Sequence, residues 1–128
     1  MSELAFREGV MDRIRVRESR YDEQAYLFVL SALEYAQAKL DVRRHISAAE
    51  LSHSCRELAL ERYGVMARVV LERWGIHATS DIGEVVFALV DLGFLAKLPS
   101  DTREEFFDVY DFAGAFERDY PWNCAYNA

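Results

Sequence analysis

Cysteine is scarce in this chain, and the two present, Cys55 and Cys124, stand far apart without a CxxC spacing. A disulfide scaffold and a thiolate zinc cluster are thereby excluded as the basis of the fold, and two reduced thiols in a cytoplasmic protein are expected. Histidine is nearly as rare, with only His45, His53 and His77. His53 and Cys55 are two residues apart, a spacing that turns them away from each other on a helix, so no metal site is expected. The six glycines form no phosphate-cradling loop, and no G-x-S-x-G elbow occurs. Cys55 falls at an inward helix position and suits an inert, buried thiol. The expectation is a non-catalytic protein without a cofactor. No apolar run approaches the roughly 20 residues that span a bilayer. The start, MSELAFREGVMDRIR, lacks a basic stretch followed by an apolar core, so neither a membrane anchor nor a signal peptide is expected.

What is present is enough apolar material for one domain with a core: 128 residues, 52% hydrophobic and 13% aromatic. The net charge of −7 is unevenly placed. Residues 1–78 balance twelve basic against twelve acidic groups, whereas residues 79–128 set only Lys97, Arg103 and Arg118 against ten acids. The C-terminal part therefore carries the whole excess, repels phosphate and would steer a basic partner toward itself. Thirteen of the fifteen basic residues are arginine, which suits planar ion pairing with carboxylates inside an acidic chain.

The pattern along the chain predicts mainly helix. Phe6, Val10 and Ile14 give one apolar stripe over about 3–17. Asp22 is a fitting N-cap for a helix reaching about Leu40, apolar on most sides and so suited to be the central pillar. Arg43 to Ile46 suits a short strand. Ser47-Ala48-Ala49-Glu50 is a capping box, and the helix that follows buries Leu51, Cys55, Leu58 and Ala59 until Gly64 stops it. Val65 to Trp74 predicts a further helix with Met66, Val69, Val70 and Trp74 inward. Thr79 or Ser80 caps the next, which runs to a stop at Gly93. Phe94–Leu98 and Glu105–Tyr110 then suit a hairpin around Pro99-Ser100-Asp101-Thr102, although TREE also suits a short helix capped by Asp101 or Thr102. Asp111 caps a last helix burying Phe112 and Phe116.

Helix, glycine stop, strand, turn, strand is the outline of a winged helix-turn-helix. The expected architecture is thus a single mainly α domain. An N-terminal helical brace covers 1–40, a winged-helix-like core with a small β-hairpin covers 43–112, and a C-terminal helix and tail cover 113–128. The run RRHISAAEL, with LALERYGVMARVVLERWGI, TSDIGEVVFALVDLGFLAKL and DTREEFFDVYDFAGAF, resembles a conserved bacterial protein family of planctomycetes and verrucomicrobia. That resemblance runs from about Arg20 to Phe116. It implies a single cytosolic domain and transfers no functional residue.

A winged helix ordinarily reads DNA with the helix that here spans 79–91. Its outward positions are Asp81, Glu84, Ala88 and Asp91, and none is basic. Nucleic acid is therefore not the expected ligand. The expected role is a protein-interaction or regulatory module whose acidic surface, Asp81, Glu84 and Asp91, meets a protein partner, basic by charge complementarity, with a homodimer as a further partner expectation. Eight aromatics between Phe106 and Tyr126 exceed what a hairpin and a short helix need; they either cover neighbouring helices or form an interface. The alternative is an atypical transcription regulator contacting nucleic acid through Arg13, Arg15, Arg17, Arg43 and Arg44, although Asp12, Glu18, Asp22 and Glu23 interleave with that cluster.

Overall fold

The computed structural model describes residues 2–3, 20–42 and 44–118. Helix α1 spans Glu23–Ala38, α2 Ala48–Tyr63, α3 Ala67–Arg73 and α4 Thr79–Asp91. Short 3-10 turns occupy Gly64–Met66 and Arg103–Phe106, and a wider helical turn occupies Gly114–Arg118. Strands β1 (Ser2–Glu3) and β2 (Leu95–Ala96) pair antiparallel, with Ser2 opposite Ala96 and Glu3 opposite Leu95. The protein is mainly α. No described helix is long and apolar enough to cross a membrane.

Helix α1 is the pillar its composition announces. Asp22 adopts an extended backbone and its carboxylate accepts from Gln24 N (2.8 Å), satisfying one orphan donor of the first turn. Ala25, Tyr26, Phe28, Val29, Leu30, Ala32, Leu33 and Ala36 are all buried, because α2 packs on one side and α4 on another. Helix α2 starts at the capping box: Ser47 Oγ accepts from Glu50 N (3.1 Å), and Glu50 Oε1 accepts from Ser47 N (3.0 Å). It ends at Gly64, whose φ of +54° an L side chain rarely adopts. Buried residues of all four helices, with Leu95, Phe106, Phe112 and Phe116, form one continuous cluster.

Gly75 ties two distant segments together. Its φ is +98°, and a Cβ there would stand 3.0 Å from the Tyr21 ring and 3.1 Å from the Arg20 carbonyl. The chain therefore passes close enough for Asp22 N to donate to Trp74 O (3.1 Å), locking the entry of α1 to the exit of α3.

Several expectations require correction. The winged hairpin is absent among the described residues: β2 pairs with β1, and Glu105 to Tyr110 forms no strand. Thr102 instead starts a 3-10 turn, its N–H donating to Glu105 Oε1 (2.8 Å), because a TxxE capping signature outweighs a weak alternation. The turn before it is present, with Leu98 N donating to Asp101 Oδ2 (2.8 Å). Arg44 to Ile46 is irregular rather than a strand, and Arg43 lies outside the described residues. Glu3, expected in a helix, is in β1; residues 4–19 and 119–128 also lie outside.

Helix α3 is rotated from its expected phase. Ala67 and Leu71 are buried at 1% exposure, whereas Met66 and Val69 are more than half exposed and Trp74 is half-buried. Gly64 and the 3-10 turn after it delay the helix to Ala67, and the stripe that faces the core is Ala67, Leu71 and Trp74, the i, i+4, i+7 set.

The last segment keeps its expected cap and core residues. Asp111 Oδ2 accepts from Gly114 N (3.1 Å), and Phe112 and Phe116 are buried with rings 5.0 Å apart. Most of the described aromatics here cover the helices; Phe107 stays 53% exposed.

Candidate functional site

Three surfaces bear on function. The first is the outer side of α4. Asp81 sits at the third position of the helix, and its carboxylate accepts from His77 N (2.9 Å), Ala78 N (3.2 Å) and the Tyr21 hydroxyl (2.7 Å). It is half-buried. Burial, reinforced by this bond to Asp81, pushes the Tyr21 phenol well above its ordinary range. Glu84 lies one turn on, between Arg20 Nη2 (3.5 Å) and Arg103 Nε (3.6 Å). Arg20 also covers the Tyr21 ring and Arg103 the Phe87 ring. Asp91 is exposed at the end of the helix. Asp81 and Glu84 are thus spent on clamping the 20–21 and 103 segments to α4, and the arginines interleave with the acids.

The second surface surrounds the α1–α2 connection. A cleft of about 310 Å³ is lined by the apolar Ala36, Leu40, Ile46 and Ala49 and by the polar Lys39, Glu50, His53 and Glu57. Its charges are already matched. Lys39 pairs with Glu57, and Arg44 grips Glu50 with both nitrogens (3.0 and 2.6 Å). The Arg44 guanidinium, with help from Ser47 N–H, holds the Glu50 carboxyl down at about 2. Arg44, one of the residues expected to meet nucleic acid, is committed to this pair; Arg13, Arg15, Arg17 and Arg43 lie outside the described residues. Beside the cleft, Tyr110 donates to Ser52 O (2.8 Å) and lies against His53, ring centroids 5.6 Å apart. Cys55 is fully buried, and burial pushes its thiol up, away from thiolate reactivity.

The third surface is the turn and helix after Gly64. Val65, Met66 and Val69 are 53%, 52% and 54% exposed. Met66 and Val69, three apart, share a helical face, and Arg73 continues it one turn later. Around this face, Arg68 pairs with Glu72 (2.8 Å) and with Glu117, and Arg56 Nε donates to Ala115 O (3.0 Å). These bonds strap the 114–118 turn to α2 and α3 and leave the valines and the methionine uncovered. Sequence reasoning assigned Met66 and Val69 to the core; the one signal that separates them is that Ala67, Leu71 and Trp74 make a complete stripe without them.

In comparisons with known proteins, no family model, no curated protein and no solved structure matches the chain. The geometry of these three surfaces therefore carries the functional argument.

Proposed function

We propose that this chain is a non-catalytic protein-interaction module whose contact surface is the turn and helix from Val65 to Arg73. One observation carries the reading: three large apolar side chains within five residues are more than half exposed, although the core beside them is closed by Ala67 and Leu71. Single exposed apolar residues are ordinary on a protein surface, but a cluster of them marks a contact site. The alternatives have less support. On the acidic side of α4, Asp81 and Glu84 are engaged in internal bonds. The α1–α2 cleft presents charges that already satisfy one another. A photo-reactive residue placed at Val69, and for control at the exposed Glu34 of α1, tests the reading in extracts of the native host. Discrete adducts from position 69 alone support it; equal or absent labelling at the two positions removes it.

A further inference from the structure

Resting on that reading, the charges around the α3 face give its partner a chemistry. Among the described residues, Arg20, Arg44, Arg68 and Arg103 each pair with a carboxylate, whereas Arg62 and Arg73 pair with none. Both are exposed. Arg73 stands one turn beyond Val69 on the same face, and Arg62 lies in the last turn of α2, just before the Gly64 turn that presents Val65 and Met66. The nearby acids do not cancel them. Glu72 is taken by Arg68, and Glu61 is turned about 100° around the helix from Arg62. An exposed apolar cluster is thus flanked along the chain by an exposed, unpaired arginine on each side, on a protein whose net charge is −7.

We propose that the Val65–Met66–Val69 face, with Arg62 and Arg73 at its margins, binds an acidic amphipathic segment of a partner protein. Apolar side chains of that segment cover the two valines and the methionine, and a carboxylate at either end meets an arginine. Arginine suits this task because its planar fork takes a carboxylate bidentately and its stem packs on apolar surface. This reverses the expectation of a basic partner, which followed from the charge sum of residues 79–128. Net charge sets long-range steering, whereas the groups bordering the apolar contact set which partner fits.

The test uses isotope-labelled full chain and two synthetic peptides that share leucines at i and i+4 spacing, one flanked by glutamates and the other by lysines. Amide shifts are followed during titration at low and moderate salt. The glutamate peptide is expected to move residues 65–73, to weaken with salt, and to bind roughly tenfold tighter than the lysine peptide, about 1.4 kcal/mol. Arg62→Glu with Arg73→Glu should invert that preference, and Arg62→Gln with Arg73→Gln should abolish it, with circular dichroism confirming the fold of each variant. Equal binding of both peptides, or a preference untouched by the arginine variants, overturns the acidic partner and leaves the interaction surface standing. No shift at 65–73 with either peptide overturns the surface itself. Shifts there that follow protein concentration alone assign the face to a second copy, and shifts with duplex DNA but neither peptide assign it to nucleic acid; either overturns the proposal.

Discussion

Gly83 and Phe106 share one site: a Cβ built on Gly83 of α4 would lie 2.8 Å from Cβ and Cγ of Phe106. The missing side chain is a socket in the helix, and the 1%-exposed phenylalanine fills it. The same contact is pinned by Thr79, which donates to Phe106 O (2.6 Å) and accepts from Val109 N (3.1 Å). The segment that sequence patterning assigns to a wing is held to α4 as a plug instead.

Gly83→Ala is therefore expected to destabilise. Helix propensity alone favours alanine by about 1 kcal/mol, but the new methyl group overlaps Phe106, and overpacking costs roughly 1–3 kcal/mol. Phe106→Ala should cost roughly 3–5 kcal/mol through the cavity it leaves. In the Phe106→Ala background, Gly83→Ala should cost less than in wild type, because the ring overlap is gone and only the contact with the Cβ at position 106 remains. Urea denaturation of the four proteins of this cycle measures the coupling; additive effects would show that the two residues do not share the site.

The Ser47–Glu50–Arg44 cluster gives a pH signature. Ser47→Ala should cost about 1 kcal/mol through the lost capping bond. The Glu50 carboxyl lies at about 2 in the fold, against an ordinary 4.5, chiefly because Arg44 bonds to it and Ser47 N–H assists. A depressed carboxyl stabilises the fold above the ordinary value and loses that contribution as pH falls from 4.5 toward 2. The Glu50 side chain is 39% exposed, so solvent screening keeps the effect small. The stability difference between wild type and Glu50→Gln should be constant at neutral pH and shrink across that acidic window. A difference that does not change with pH would exclude the linkage.

Tyr21, whose hydroxyl donates to Asp81, behaves in the opposite sense. The phenol is raised by burial first and by Asp81 second, so its contribution is complete below its ordinary value and is lost as pH rises above it. Tyr21 should resist ionisation at alkaline pH until the protein unfolds, which ultraviolet titration records directly. Asp81→Asn weakens the cap and the Tyr21 bond together and should cost about 1 kcal/mol or more. Glu34→Gln, at an exposed position of α1, should change stability by less than about 0.5 kcal/mol. Comparable losses at both sites would contradict the clamp assigned to Asp81.

Local chemistry made much of this fold legible. Asp22 and Ser47 mark helix starts through their own side chains, Gly64 and Gly93 mark stops through backbone freedom, and the apolar residues around α1 announce a helix enclosed by neighbours. What stayed hidden depends on partners far along the chain. Nothing near Leu95 says that it pairs with Glu3 rather than with residues ten positions later. Asp81, Glu84 and Asp91 read as outward acids, but Tyr21, Arg20 and Arg103, which engage the first two, arrive from distant segments. Met66 and Val69 read as core because apolar residues usually are. Exposure of such residues is a property of what the rest of the chain fails to cover, and local periodicity does not record it.

The phase of α3 decides whether that exposed face is a surface or a misread core, and substitution separates the two. Leu71 is 1% exposed, so Leu71→Ala should cost roughly 2–5 kcal/mol. Val69 is 54% exposed two residues away, so Val69→Lys should change stability by less than about 0.5 kcal/mol. Met66→Lys should behave like Val69→Lys, because the aliphatic lysine stem can lie along the surface while its charged head stays in water. If either lysine variant lost several kcal/mol in thermal and urea unfolding, the apolar face would be part of the core and the interaction surface would fall with it. If both fold like wild type while Met66→Lys abolishes the adducts formed by a photo-reactive residue at position 69, the side chains serve recognition rather than stability.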